Sequence, residues 1–138
     1  MGALAGVPKE TLLSDRYAPI PSYWDRYPLA PAVGRIARGS YKNKARRDIS
    51  SSGYVVDTLE AVLWAFHNNN GFEPGLLAAV NLADDADTVG AVFGQLAGAY
   101  HGETGLPVKW IVNTHAAHGF YHFAHDLSVL ARSTDDTA

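Results

Sequence analysis

The stretch Asn81-Leu82-Ala83-Asp84-Asp85-Ala86-Asp87-Thr88 gathers three carboxylates and a hydroxyl into a few consecutive positions. Three ionised Asp side chains so close together repel one another, and a cation relieves that repulsion. Hard oxygen donors of this kind select magnesium, manganese or calcium over zinc. A second use competes: Asp85 or Asp87 can cap a helix, accepting backbone N–H groups and meeting the positive end of the helix dipole for about 1 kcal/mol. One Asp is enough for a cap, which tilts the balance toward metal. A different chemistry is suggested by His115, His118, His122 and His125. On a continuous helix these fall within about 80° of one face, a pattern that suits a transition metal and equally suits a solvated face. His67 and His101 stand at expected helix ends, where the dipole accounts for them.

Helices must position these groups. Val55, Val56, Leu59, Val62, Leu63 and Phe66 recur at spacings of three and four, which predicts a helix from Tyr54 to His67. Asn68 to Gly71 then end it, as residues that tolerate left-handed backbone. A second helix starts near Glu73, with Pro74 in its first turn and Leu76, Leu77, Val80 and Leu82 as its buried side. From Asp87 to Tyr100 an apolar stripe of Val89, Val92, Phe93, Leu96 and Tyr100 is interleaved with Gly90, Ala91, Gly94, Ala97 and Gly98. Each Gly costs roughly 1 kcal/mol of helix propensity, so close helix packing must compensate. Pro107 opens a last helix to about Arg132, with Trp110, Ile111, Phe120, Phe123, Leu127 and Leu130 available for burial. No strand pattern competes. The expected class is all-α, an orthogonal or bundle-like arrangement.

The flanks differ in kind. Five of the seven prolines lie between Met1 and Pro31, among Tyr17, Tyr23, Trp24 and Tyr27, so residues 1–38 read as an irregular arm packed through aromatic faces. Residues 39–53 are a basic, turn-rich loop, residues 54–132 the helical region and residues 133–138 an acidic tail. Arg35, Arg38, Lys42, Lys44, Arg46 and Arg47 form a basic cluster able to meet phosphate, or simply a solvated loop. The charge is divided: residues 1–53 carry +5 and residues 54–138 carry −8.

At 138 residues the chain suits one domain, and two independent ones would each be marginal. With 47% hydrophobic and 18% charged residues it is not a disordered chain. A pI near 6.0 excludes a general nucleic-acid binder. No apolar run approaches the ~20 residues a membrane helix needs, and Met1 to Leu13 lacks the pattern of a secretory signal. Zero Cys excludes disulfides, thiolate zinc sites and cysteine nucleophiles. A soluble, cytoplasmic protein is the expectation.

The strings SGYVVDTLEAVLWAFHNNNGF and LLAAVNLADDADTVGAVFGQLAGAYHGETGLPVKW resemble the C-terminal part of the ADP-ribosylglycohydrolase family. The most specific piece is Asp85-x-Asp87-Thr88 followed by Gly90-Ala91-x-x-Gly94-Gln95-x-Ala97-Gly98-Ala99-Tyr100. The resemblance implies an all-helical hydrolase that cleaves ADP-ribose from a protein side chain or other acceptor, using a pair of magnesium or manganese ions. Asp85, Asp87 and Thr88 would be metal ligands. Ser52, Gly53 and Tyr54 would be the substrate-binding entry to a helix. An ADP-ribosylated protein or ADP-ribose conjugate is the implied partner, with no membrane. Family members are longer, and their N-terminal half carries a Gly-Asp segment, an acidic residue and a Thr-Asp-Asp motif that complete the ion pair. Nothing before Gly39 supplies these. The chain therefore resembles a C-terminal portion, catalytically incomplete unless a complementary N-terminal half or a second copy joins it. Thr134-Asp135-Asp136 is similar to the missing motif, although a frayed polar tail explains it as well.

Overall fold

A computed structural model describes the backbone of residues 1–135 and the side chains of residues 1–132. Among the described residues there are eight α-helices and no strand. They are α1 (Lys9–Leu12), α2 (Tyr23–Arg26), α3 (Pro31–Ala37), α4 (Val55–Asn68), α5 (Phe72–Val80), α6 (Ala86–His101), α7 (Val108–Asn113) and α8 (Ala117–Asp135). Two compact units divide the chain, Met1–Leu106 and Pro107–Ala138.

In the first unit α4, α5 and α6 pack on one another. Ala61, Val62, Ala65 and Phe66 of α4 meet Phe72 and Ala79 of α5 and Val89, Phe93 and Ala97 of α6, all buried. Phe72 and Phe93 lie edge to face with centroids 6.2 Å apart, as do Phe66 and Tyr100 at 5.3 Å. A Cβ at Gly75 would stand 2.4 Å from Phe93 Cζ, so that glycine is the slot into which the ring fits. The buried side of α5 is therefore Phe72, Gly75 and Ala79, whereas Leu77, expected inside, is exposed. Leu76 and Val80 are half-buried beside Gly90 of α6, and only Leu77 turns outward.

Similar corrections apply at other joints. Gly90 of α6 approaches Val80 Cγ1 at 3.0 Å from its would-be Cβ, as close packing predicts, while Gly94 and Gly98 meet nothing within 4 Å among the described residues. The Asn run after α4 does not enter left-handed backbone: Asn69 has φ −130°. Asn68 Nδ2 and Asn69 Nδ2 instead donate to the carbonyls of Trp64 and Ala65, at 2.9 and 2.8 Å, closing the helix end through side chains.

The segment read as an irregular arm contains α1, α2 and α3, with Pro31 at the first position of α3, where its missing N–H costs nothing. Its links to the body are specific. Lys9 Nζ donates to Asn69 O at 2.8 Å and Lys42 Nζ to Leu13 O at 2.6 Å, while within the arm Trp24 Nε1 donates to Tyr17 O at 2.9 Å. The basic loop is likewise folded onto α4. Tyr41 and Ile49 are buried, Lys44 pairs with Glu60 at 2.7 Å, and Trp64 Nε1 donates to Lys44 O at 3.0 Å.

The second unit departs most from expectation. The last helix is two, broken between Asn113 and Ala117 where Ala116 takes φ +61°. Phe120, Phe123, Leu127 and Leu130, expected inside, are 63 to 73% exposed.

Candidate functional site

Two loops, each entering a helix, are sewn together in the first unit. Ser51, which is buried, donates its hydroxyl to Ala83 O at 2.8 Å, and Asp85 N–H donates to Ser51 O at 3.1 Å. These bonds cross more than thirty residues of sequence and place the entry to α4 against the entry to α6. Arg46 Nη2 also donates to Asn81 O, adding a third tie.

The α4 entry is held from within by Asp57. Its Oδ2 accepts the hydroxyls of Ser52 at 2.7 Å and Ser50 at 2.9 Å, and Ser52 Oγ in turn accepts Tyr54 N–H at 3.2 Å. Thr58 Oγ1 reaches Ser52 O at 3.3 Å. Ser52 is thus engaged with the loop, Gly53 is exposed backbone, and the Tyr54 ring is 61% exposed. A Cβ on Gly53 would lie 2.9 Å from Asp85 Oδ2. Only glycine lets that carboxylate lie over the loop without displacement.

The α6 entry is strained. Ala83 and Asp84 take φ +68° and +60°, a region that L residues other than Asn and Asp rarely occupy. The kink sends Asp84 outward and turns Asp85 toward Gly53. Asp85 occupies the N-cap position of α6 yet makes no side-chain cap hydrogen bond, so capping does not account for it. Its carboxyl meets that of Asp87. A hydrogen bond with Asp85, then the backbone N–H groups of Thr88 and Asp87, hold the Asp87 carboxyl below the usual carboxylate range.

The structure brings Asp85, Asp87 and Gly53 together, with Ser52 and Tyr54 on the adjoining turn. Thr88 is on the first turn of α6, its N–H facing the Asp87 carboxylate. Among the described residues no group of three or more His, Cys, Asp or Glu is arranged to hold a metal. The oxygen chemistry of the Asp85–Asp87 pair fits one side of a magnesium or manganese site, which takes about six ligands. His118 and His122 are 5.1 Å apart on α8, both exposed, and His115 lies in the linker before it. The side chains of Thr134, Asp135 and Asp136 lie outside the described residues.

Sequence reasoning missed Asp57, Ser50 and Ser51, and it read Arg46 as part of a phosphate-facing or solvated cluster, not as a tie to Asn81 O. An Asp three residues into a helix, behind a Ser-Ser-Ser-Gly run, was the available sign that hydroxyls would converge there. The carbonyls of Ala83 and Asn81 as acceptors had no sequence signal.

The family model for ADP-ribosylglycohydrolase matches residues 2–137, so the chain belongs to that family. An ADP-ribosylarginine hydrolase Tri1 from Pseudomonas putida (strain GB-1) is 47% identical over 115 residues, covering 78% of this chain and 31% of the relative. Its namesake from Serratia proteamaculans (strain 568) is 50% identical over 84 residues, covering 61% and 23%. An ADP-ribosyl-[dinitrogen reductase] glycohydrolase from Rhodospirillum rubrum is 43% identical over 61 residues, covering 44% and 21%. A solved ADP-ribosylglycohydrolase-related protein complex superimposes with TM-score 0.72 at 41% identity, over 86% of this chain and 38% of that one. The chain thus spans well under half the length of the relatives it matches.

Proposed function

We infer that the chain is the C-terminal portion of a hydrolase that releases ADP-ribose from modified arginine. The observation that carries this reading is the stitched pair of loops, in which the Asp85 carboxylate lies over Gly53 of the Ser52-Gly53-Tyr54 turn and meets that of Asp87. The arginine linkage is drawn from the two ADP-ribosylarginine hydrolases it resembles at 47% and 50% identity.

Asp85, Asp87 and Thr88 would hold magnesium or manganese. When bound, the ion supplies Lewis-acid stabilisation of developing charge and a fixed reference for the ribose hydroxyls. The protein groups do the rest. Asp57 fixes the Ser50 and Ser52 hydroxyls, and Gly53, bare of a side chain, leaves room for the Asp85 carboxylate that the ribose hydroxyls would approach. The exposed Tyr54 ring offers a flat face beside that approach. In the net reaction water attacks the anomeric carbon, the bond to the arginine nitrogen breaks, and ADP-ribose and free arginine leave. The ADP-ribosylated protein is the partner, and we assign the reaction to the cytoplasm, a reducing compartment with which a cysteine-free chain is compatible. Among the described residues no helix is long and apolar enough to cross a membrane.

A second reading is favoured by the missing third carboxylate: a helical metal- or ADP-ribose-binding module that turns over only with a complementary N-terminal half or another copy. Release of ADP-ribose from an ADP-ribosylated arginine peptide, in magnesium and then manganese, separates the two. Metal-dependent release by the chain alone, lost in Asp85→Ala, supports the hydrolase. Release only after addition of the N-terminal segment of the Pseudomonas relative supports the module, and no release in either case removes the catalytic reading.

A further inference from the structure

The basic cluster is sorted by the fold into residues with structural duties and residues without. Lys42 donates to Leu13 O, Lys44 pairs with Glu60, Arg46 donates to Asn81 O and Arg47 leans on Asp48 at 3.8 Å. Arg35 and Arg38 are different: among the described residues neither guanidinium has a hydrogen-bond or ion-pair partner. They stand three positions apart at the end of α3 and so share a face, about 5–6 Å between Cβ atoms.

Both line a cleft of about 400 Å³ in the first unit, together with Arg16, Trp24, Leu29 and Pro31. Arg16 is set there by unusual backbone, with φ +51° and its N–H bonded to Ala37 O at 2.9 Å. Such strain in an L residue is held only where surrounding structure demands it. Its own charge is met by Asp25 at 3.2 Å, which leaves the cleft with the two unmatched charges of Arg35 and Arg38. The lining also has an apolar part, in which Trp24 is half-buried with its indole N–H tied to Tyr17 O.

We propose that this α2–α3 cleft binds a small phosphate monoester carrying an aromatic or apolar group. The phosphate, close to two negative charges at neutral pH, answers the paired guanidiniums, whose forked donors match its oxygens. The organic part lies against Trp24 and Leu29. The volume admits a small molecule, not a folded partner. The site is separate from the loops around Asp85 and does not depend on the hydrolase reading.

Isothermal titration of the whole chain with phenyl phosphate, inorganic phosphate and phenol tests the proposal. Phenyl phosphate should bind saturably with Kd at or below about 1 mM, with the other two at least about tenfold weaker. Arg35→Gln/Arg38→Gln should weaken phenyl phosphate by about tenfold or more with helical circular dichroism unchanged, and Asp85→Ala should leave it unaltered. Equal affinity for inorganic phosphate, binding that survives the double substitution, or binding lost with Asp85→Ala would each overturn it.

Discussion

α4 and α8 carry the same kind of apolar stripe and meet opposite fates. In α4 the residues at three- and four-residue spacing lead to a face on which Val62 and Phe66 are buried against α5 and α6. In α8, Phe120, Phe123, Leu127 and Leu130 are spaced three, four and three apart, and all stay largely in contact with solvent. Periodicity therefore announces that a helix has an apolar face, while only tertiary structure decides whether that face is covered. The relatives are much longer than this chain, and the first unit is where its own residues suffice to build a core.

Truncation on the two helices should expose the contrast most sharply. Phe66→Ala, which removes a buried α4 ring that lies edge to face with Tyr100, should cost about 3–5 kcal/mol in urea unfolding. Phe123→Ala should change it by less than about 0.5 kcal/mol. Comparable losses at both positions would mean that α8 packs as α4 does.

A smaller effect belongs to the stitched loops. Gly53→Ala places a methyl group 2.9 Å from Asp85 Oδ2 and should push that carboxylate off the turn. Any metal-dependent release of ADP-ribose should fall by about tenfold or more while stability changes by no more than about 1 kcal/mol. A parallel loss of fold and activity would give Gly53 a merely structural part. At Ala83 the sign reverses: glycine relieves the left-handed strain, and Ala83→Gly should stabilise the chain by about 0.5–1 kcal/mol in thermal unfolding.

The smallest expected effect is in pH. Burial, with help from Lys42 and Lys9, lowers the His67 pKa, and burial with Lys9 lowers that of His101. The unfolded chain then binds more protons than the folded one just below the ordinary value of 6.5, so stability from these groups is present above that pH and lost as pH falls through it. The Tm should drop on acidification from neutrality, and less so in His67→Gln. An identical slope in that variant would remove His67 from the account.

The sequence carried the helical class, Val62 and Phe66 of the α4 core, Val89 and Phe93 of the α6 core and the acidic turn between α5 and α6, because each rests on local spacing or on residue chemistry; Val55, expected on the buried stripe, is exposed, and Ala61, Trp64 and Ala65 take buried places instead. It did not carry the side of α5 that is buried, since Gly75 and Ala79 look unremarkable until Phe93 is seen to need their space. Nor could spacing reveal the break at Ala116, a positive φ in a residue with no preference for it. Of the candidate site, Asp85, Asp87 and the Ser52-Gly53-Tyr54 turn were legible as separate motifs. Their juxtaposition was not, because it rests on Ser51 and on backbone carbonyls that every residue shares.

The proposed hydrolase needs the Asp85 carboxylate over Gly53, with Asp87 beside it, to take a divalent cation. Manganese titrated into the chain and followed by electron paramagnetic resonance tests this directly. The account predicts saturable binding that is lost in Asp85→Asn and in Asp87→Asn while both variants remain folded; equal manganese uptake by wild type and both variants would contradict it.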